Sequence, residues 1–300
     1  MELLQLRYFA TVAKMQSITK AANYYGIPQP AMSQTIARLE ADLGGIRLFD
    51  RKNGRIHLNE TGKRFLSRVE YALHSLDEGI AELNAKTDAI AGEIHILVLE
   101  NRRFILNCVT KFSKQYPDVT FFASHDFYSE QNANYDLCIS SMQTHHHMKQ
   151  SVPLVKESIV LAVHESNPLA KRSWVSLPEL KDEKFITMPS RSSLYDITYT
   201  NCRACGFEPR VQFICDDPYF VRKYISENMG IALSPAVSWS ERFRANTVIV
   251  PIDNPPIHTT TYLLWDENRY MSPAVKKFME FVTEQARRLE GNLLNQSVNG

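Results

Sequence analysis

The feature that most constrains the fold is a glycine placed just after a short helix that contains two adjacent alanines. Residues 18–25 fit a helix in which Ala21 and Ala22 are small enough for another helix to approach closely, and Gly26 follows. Glycine allows the positive φ of a tight turn between two crossed helices. A preceding helix is predicted by an apolar stripe at helical spacing: Leu6, Phe9, Ala10 and Ala13.

A third helix is predicted after Pro28, because proline does not continue a helix but precedes one readily. Met32, Ile36 and Leu39 are spaced to face the first two helices. The remaining faces carry amide, hydroxyl and guanidinium groups, which read base edges in the DNA major groove or hold phosphates. These candidate DNA-binding residues are Gln29, Ser33, Gln34 and Arg38, with Pro30 as an apolar contact for a thymine methyl group.

A basic hairpin is predicted beyond Gly44. Residues 46–51 and 56–58 fit two strands on either side of Asn53-Gly54, the dipeptide typical of a two-residue hairpin turn. Three candidate phosphate-binding side chains lie on it, namely Arg51, Lys52 and Arg55. The hairpin therefore has the character of a DNA-binding wing.

These motifs, in this order and spacing, resemble the signature of LysR-type transcriptional regulators. The matching segments are Ala21-Ala22, residues 28–33, Arg38-Leu39-Glu40, Leu43-Gly44, residues 48–51 and residues 58–62. The family often has Ser or Thr where Pro28 stands and Thr where Asn59 stands, although both residues here are also expected at helix starts. The resemblance implies an N-terminal all-α winged helix-turn-helix. The alternative is a three-helix bundle that binds a protein partner.

Positive charge is concentrated in the N-terminal segment. Residues 1–68 contain eleven Lys and Arg against five Asp and Glu, which leaves 23 basic and 28 acidic residues in the rest of the chain. Because binding to phosphates requires local positive charge, this distribution favours DNA binding by the N-terminal segment.

A long linker helix is predicted over residues 61–91. Its apolar stripe is Phe65, Val69, Leu73, Leu76, Ile80 and Leu83. Such a stripe suits pairing with a second copy in a short coiled coil, which would present two recognition helices to one DNA site. The alternative is that the stripe packs on its own domain. The family resemblance favours a homodimer and implies that two dimers commonly form a homotetramer.

The rest of the chain, residues 92–300, has the pattern of an α/β domain. A strand at 94–99, a helix at 104–115 and a strand at 119–123 begin a β-α-β series, and further short apolar strands follow at intervals up to 262–265. Alternation of this kind predicts a parallel sheet with helices on both faces and a ligand at the carboxyl ends of the strands.

The family resemblance extends into this domain through looser landmarks, such as residues 116–119, 167–170, 206–209 and 230–235. It implies a two-lobed effector domain resembling type 2 periplasmic-binding proteins, with strands near 160–164 and 263–266 crossing between the lobes. The predicted division is a DNA-binding domain at 1–60, the linker at 61–91, lobe I at about 92–162 and 266–290, and lobe II at about 163–265.

Candidate effector-binding residues lie where predicted strands give way to helices. They are Asn101, Arg102, Ser190, Arg191 and Ser192, and such helix starts favour a carboxylate or another anion. Many relatives have Ser or Thr where Glu100-Asn101 falls, so the ligand is left open. For each residue, a role as an exposed loop or cap residue is an equal alternative, and Asp217 is expected to be an N-cap.

Other chemistry-bearing motifs are weak. Cys202 and Cys205 form a C-x-x-C near Cys215, so a redox-sensing regulator is one alternative, whereas Cys108 and Cys138 fit an apolar core. Residues 145–147 are three adjacent histidines that do not converge on one metal ion and fit a polar loop.

The sequence therefore predicts a regulator that binds double-stranded DNA and responds to a small-molecule effector between two lobes. We expect no enzymatic activity, metal or cofactor, because no catalytic arrangement occurs at interpretable spacing. No apolar run is long enough to span a bilayer and no secretory signal is evident, so a cytoplasmic location is expected. The alternative from another class is a cytosolic metabolite-binding module or enzyme on the two-lobed fold.

Overall fold

The structure is a computed structural model, which describes residues 1–52, 55–84, 90–125, 135–142, 148–239, 243 and 245–298. The chain forms two compact units, of which the first comprises Met1–Gly92 and the second begins at Glu93. Among the described helices, none has both the length and the apolar character required to cross a membrane.

The first unit contains four helices and a two-stranded hairpin. In chain order they are α1 (Leu3–Met15), α2 (Ile18–Tyr24), α3 (Gln29–Asp42), β1 (Phe49–Lys52), β2 (Arg55–Leu58) and α4 (Glu60–Asn84). This order confirms the predicted winged helix-turn-helix followed by a long helix. The predicted turn residues Asn53 and Gly54 lie outside the described residues.

The core of the first unit is built around Phe9 of α1, which is fully buried. Its ring lies 5.5 Å from the rings of both Phe49 and Phe65, so helix α1, the hairpin and α4 share one aromatic cluster. Ala21 is also fully buried, as the close approach of helices requires. Gly26 has φ +66°, the conformation that the predicted turn needs.

The first turn of α4 is held by side-chain and backbone contacts to the hairpin region. The Asn59 carboxamide oxygen accepts from the Gly62 amide at 2.8 Å, and its nitrogen donates to the Arg47 carbonyl, which confirms Asn59 as a cap. Pro28 is the N-cap of α3 through its backbone, because its carbonyl accepts from the Ala31 and Met32 amides.

The apolar stripe of α4 divides into two halves. Val69 and Leu73 are buried in the core of the first unit, so this half packs on its own domain. Leu76, Ile80 and Leu83 are exposed by 42%, 48% and 88%. The Arg7 guanidinium pairs with both oxygens of Asp77, at 2.5 and 3.2 Å, and ties α1 to this second half of α4.

The second unit is an α/β domain of ten strands and four α-helices among the described residues. In chain order they are β3 (Gly92–Val98), α5 (Arg102–Gln115), β4 (Val119–Ser124), β5 (Leu137–Ser140), β6 (Gln150–His164), β7 (Val175–Ser176), β8 (Lys184–Thr187), α6 (Ser193–Ala204), β9 (Arg210–Ile214), α7 (Pro218–Ser226), β10 (Ala232–Pro235), β11 (Thr247–Asn254), β12 (Ile257–Trp265) and α8 (Pro273–Val298).

The main sheet, in the order β4-β3-β5-β12-β6-β11-β7 with β10 also paired to β6, is mixed, which corrects the expectation of a parallel sheet. In it β3 and β5 are parallel, whereas β6 pairs antiparallel with β10, β11 and β12. β8 and β9 form a separate two-stranded parallel sheet. The length of β6 was hidden in the sequence because its buried position 157 holds a charged residue, so that Lys156, Glu157 and Ser158 form a polar run without apolar alternation. Only the apolar second half of β6 reads as a strand.

The long strands β6 and β12 join two lobes. The carboxyl-terminal part of β12 pairs with β5 of the first lobe, whereas the second half of β6 pairs with β10 and β11 of the second lobe. β6 pairs with β10 and β11 from Ile159 and Val160 onward, and β12 pairs with β5 from Tyr262 onward. The lobe boundaries at about 162 and 265 stay a prediction. Two extended strands therefore connect the lobes.

Gly62 provides a test of the packing at the start of α4. An added Cβ would lie 2.1 Å from the Leu48 carbonyl oxygen and 2.8 Å from a methyl group of Leu58. Gly62→Ala should therefore destabilise the protein by about 1–3 kcal/mol, measured by urea unfolding.

The control is Gly79→Ala in the same helix, where nothing lies within 4 Å. We expect no loss there and a gain of up to about 1 kcal/mol. Equal stability of the Gly62 variant and the wild type would contradict this packing.

Candidate nucleic-acid interface and ligand cavity

Helix α3 has one buried face and one exposed polar face. Met32, Ile36 and Leu39 are buried against the other helices of the first unit. Pro30 and Gln34 are each two positions from Met32 and therefore point to nearly the opposite side of the helix, where they are exposed. The predicted residues Gln29 and Arg38 are also exposed, and Ser33 is half-buried. The face predicted to read DNA is thus not covered by the unit to which it belongs.

The hairpin brings two of the predicted basic positions side by side. Lys52 and Arg55 are cross-strand partners next to the turn, and Arg51 is paired with Ile56. The backbone at these positions is described, whereas their side chains lie outside the description. Arg47, which precedes the hairpin, is exposed.

A cavity in the second unit lies between the two lobes. It is lined from lobe I by Leu99, Glu100, Asn101, Arg102, Arg103 and Ser141, from the connecting strands by Glu157, Thr259 and Thr261, and from lobe II by Met188, Ser193, Leu194, Ile197, Asp217, Pro218, Arg222, Pro235, Ser238 and Trp239. The cavity volume is about 60 Å³, which suits a small ligand.

Asn101 and Arg102, two of the predicted effector residues, line this cavity. Asn101 has φ +48° and is buried. Arg102 begins α5, and one of its terminal nitrogens donates to the His125 carbonyl at 3.2 Å. The other lies 4.0 Å from an Asp217 oxygen. Among the described residues the buried Arg102 Nε has no hydrogen-bond partner, so this guanidinium retains unused donor capacity.

Glu157, a buried residue of β6, connects both lobes at the base of the cavity. One carboxylate oxygen accepts from the Val237 and Ser238 amides at 2.8 and 2.9 Å. The other lies 3.4 Å from the Asn101 amide nitrogen, which donates to the Thr261 hydroxyl at 2.6 Å. This network joins the first lobe, both connecting strands and the second lobe, because each member lies on a different one of these segments.

Glu100 is a half-buried carboxyl on the cavity wall. It accepts a hydrogen bond from the Ser193 hydroxyl, and a second hydroxyl, that of Ser141, also contacts it. Burial raises the pKa of the Glu100 carboxyl, and the negative charge of Glu157 raises it further, whereas the two hydroxyls and Arg102 act in the opposite direction. The bond to Ser193 crosses from the end of β3 to the start of α6.

The second lobe contributes another cation to the cavity. Arg222 is 8% exposed and its guanidinium lies 5.2 Å from the centre of the Trp239 ring. Asp217 caps α7, since its side chain accepts from the Tyr219 amide, and it also lines the cavity. The predicted cap is thereby confirmed, and the cavity contains charged groups of both signs.

The three predicted residues at the start of α6 lie beside the cavity and not among its lining residues. Ser190 and Arg191 are exposed, and Ser192 is the buried N-cap of α6, where its hydroxyl accepts from the Tyr195 amide. The next residue, Ser193, does line the cavity.

Sequence reasoning missed Glu100, Ser193, Arg222 and Trp239 as cavity residues. For two of these residues, Glu100 and Arg222, the sequence contains a feature that could have identified them. Glu100 directly follows a predicted strand, as Asn101 does, and the rule that selected Asn101 applied equally to it. Arg222 lies beside Val221 and four residues before Ser226, at a position where helical spacing predicts a core residue. A charged residue on a buried helix face indicates a functional site.

The cysteines give no support to a redox role. Cys202 is fully buried, and burial raises the pKa of its thiol to about 12, which leaves almost no reactive thiolate at neutral pH. Burial also raises the pKa of the Cys215 thiol. Cys108 and Cys138 are buried, as predicted. The histidines at 145–147 lie outside the described residues.

Comparison with known proteins gives two family matches and many relatives. Residues 3–63 match the family of bacterial regulatory helix-turn-helix proteins of the lysR type, and residues 88–287 match the LysR substrate binding domain. The transcriptional dual regulator GltC of Bacillus subtilis is 29% identical over 298 residues, which cover 97% of this chain and 99% of the relative.

Solved structures share the fold over nearly the full length. A full-length variant of OxyR from Pseudomonas aeruginosa has a TM-score of 0.71 at 17% identity, covering 96% of this chain and 95% of the other. Full-length CbnR, whose structure was solved with its target DNA, has a TM-score of 0.68 at 20% identity, with 95% and 100% covered.

The substrate-binding match alone spans two thirds of the chain, and the helix-turn-helix match covers the unit whose polar helix face is exposed. The chain therefore belongs to the LysR family, and it is a DNA-binding transcriptional regulator with an effector-binding domain, not an enzyme.

Proposed function

We propose that α3 is inserted into the DNA major groove and that the β1–β2 hairpin contacts the flanking phosphates. Gln29, Ser33 and Gln34 would then read base edges, with Pro30 against a thymine methyl group and Arg38 at the groove margin. The observation that carries the proposal is the exposure of Gln34 opposite the buried Met32 and Ile36. Amides pair in a bidentate manner with adenine, which gives them discriminating power.

We assign the phosphate contacts to the hairpin residues Arg51, Lys52 and Arg55. Lys52 and Arg55 are paired in register beside the turn, so the backbone presents two cationic residues at one end of the hairpin. Such contacts add affinity for any DNA sequence and make binding sensitive to salt.

The effector, in this proposal, is a small molecule with an anionic group bound in the cavity between the lobes. Arg102 and Arg222 supply positive charge from opposite lobes, and Arg102 Nε lacks a hydrogen-bond partner among the described residues. A ligand held by both guanidinium groups would stabilise one relative position of the lobes. The lobe arrangement that this ligand favours would bind the effector more tightly than the alternative arrangement does. This difference in affinity is what would couple effector binding to a change of conformation.

We further propose that the protein acts as a homodimer, or as a homotetramer formed from two such dimers. Leu76, Ile80 and Leu83 form an exposed apolar stripe on α4, at spacing that fits a coiled coil. A dimer gains affinity because the second recognition helix binds as an intramolecular step. A regulator of this kind has to reach the chromosome, and for that reason we expect it in the cytoplasm.

The division between base readout and phosphate contact can be tested by substitution. Genomic fragments selected for binding would be titrated in gel shifts at several salt concentrations. Gln34→Ala should lose about 1–3 kcal/mol of discrimination between the selected site and a scrambled site, with an unchanged salt dependence. Arg55→Ala should weaken both complexes equally and reduce the salt slope by about one. If Arg55→Ala changed only sequence preference, the assignment would be wrong.

The role of the cavity can be tested with a thermal-shift panel of small carboxylates and amino acids. A compound that raises the Tm of the wild type should lose this effect with Arg102→Gln, because its anionic group loses a charged partner. DNA binding without effector should persist. The control is Arg172→Gln, an exposed arginine paired with Glu179 outside the cavity lining. A ligand that stabilises the Arg102 variant as strongly as the wild type would rule out this site.

The α4 interface can be tested with Ile80→Glu. A charge in the apolar stripe should shift the protein toward monomer in light-scattering measurements and weaken operator binding by at least tenfold, the order expected when bivalency is lost. The matched control is Glu82→Gln, a charge change near the same end of α4. An unchanged molar mass of the Ile80→Glu protein would show that association occurs elsewhere.

A further inference from the structure

The cavity wall places a carboxyl group and a guanidinium group only two residues apart in the chain. Glu100 ends the segment after β3 and Arg102 begins α5, and both line the cavity. Arg222 adds a second cation from the opposite lobe. A site for a simple anion gains nothing from an acid on its wall, since the like charge repels the ligand. The presence of Glu100 therefore needs a different explanation.

Glu100 is not accounted for by packing or by an internal ion pair. Its hydrogen-bond partners among the described residues are the hydroxyls of Ser193 and Ser141. A neighbouring carboxylate, Glu157, makes its ionised form less favourable, and Glu157 itself is already satisfied by two backbone amides. A partly buried carboxylate whose hydrogen-bond partners are neutral hydroxyls is costly, and Arg102, which makes no hydrogen bond to it among the described contacts, acts on it only through its charge. A cation brought into the cavity and bonded to Glu100 would relieve that cost.

Arg102, in contrast to Glu100, lacks an acceptor for one of its donor groups. Its Nε is buried without a hydrogen-bond partner among the described residues, and its contact with Asp217 is long, at 4.0 Å. An anionic group in the cavity would satisfy this donor in a charge-assisted bond. The two neighbouring side chains thus require ligand groups of opposite sign within one small space.

We infer that the effector is a small zwitterion, with a carboxylate that pairs with Arg102 and an ammonium group that pairs with Glu100, as in an α-amino acid. This inference rests on the proposed function, because it specifies the ligand of the same cavity. A cavity of about 60 Å³ suits a compact ligand such as an amino acid and not a large cofactor.

The position of Glu100 also links the ligand to the arrangement of the lobes. Its present partner, Ser193, is the first residue of α6 in the second lobe. An ammonium group bound to Glu100 competes with that hydroxyl or extends the same network. Binding of the zwitterion therefore acts directly on a hydrogen bond that spans the cleft.

The test compares matched compounds on matched variants of the full chain. Each proteinogenic amino acid is measured by thermal shift and then by calorimetry, beside the carboxylic acid that lacks its amino group and the amine that lacks its carboxyl group. The variants are Glu100→Gln and, as a surface control with the same change of charge, Glu165→Gln. Circular dichroism verifies folding, and Ser193→Ala provides a second variant that retains the carboxyl group.

We expect one or a few amino acids to bind the wild type at least tenfold more tightly than their deamino counterparts. Glu100→Gln should weaken binding of the amino acid at least tenfold, whereas the deamino acid should bind equally well or better because the like charge is removed. Glu165→Gln should behave as the wild type, and Ser193→Ala should keep the preference for the amino acid.

Three results would overturn the inference. In the first, deamino acids bind the wild type as tightly as amino acids do. In the second, Glu100→Gln retains full affinity for the amino acid, which would mean that Glu100 acts as a neutral hydrogen-bonding group. In the third, no zwitterion in the panel binds. The proposed function survives all three if another ligand binds in a manner that depends on Arg102, and it fails separately if no ligand shows that dependence.

Discussion

Burial of Met32, Ile36 and Leu39 is the constraint on which the function of the first unit depends. These three side chains fix the rotation of α3 about its own axis, because their exposure would lose about 1.5–3 kcal/mol each. Once they face the core, Gln34 faces outward. The same core holds the start of α4 through Phe65 and Val69. The orientation of the face that we propose to read DNA is therefore set by ordinary hydrophobic packing.

In the second unit, hydrogen bonds between polar groups hold the two lobes together at their junction. Glu157 accepts hydrogen bonds from lobe II amides and contacts Asn101 of lobe I, while β6 and β12 run continuously between the lobes. In the proposed complex, a ligand that contacts Arg102 and Glu100 of lobe I and Arg222 of lobe II would bridge the two lobes at this junction.

The sequence predicted the first unit well because its signals are local. The positions of Gly26 and Pro28, and the apolar spacing of α3, depend on residues close in the chain. The second unit was predicted less well, since strand direction and order depend on distant partners, and the polar stretch at Lys156 and Ser158 concealed most of β6. The cavity was found only in part, because Ser193 and Arg222 approach Arg102 through the tertiary fold and no spacing rule relates them.

The proposed mode of DNA recognition requires that α3 contacts base pairs in the major groove. Methylation interference on a selected genomic fragment tests it most directly, because dimethyl sulfate modifies guanine N7 in the major groove and adenine N3 in the minor groove. If α3 of each protomer lies in the major groove, N7 methylation should interfere in two clusters, one for each recognition helix, separated by about one helical turn or a multiple of it. Interference confined to adenine N3, with none at guanine N7 across a GC-containing site, would contradict it.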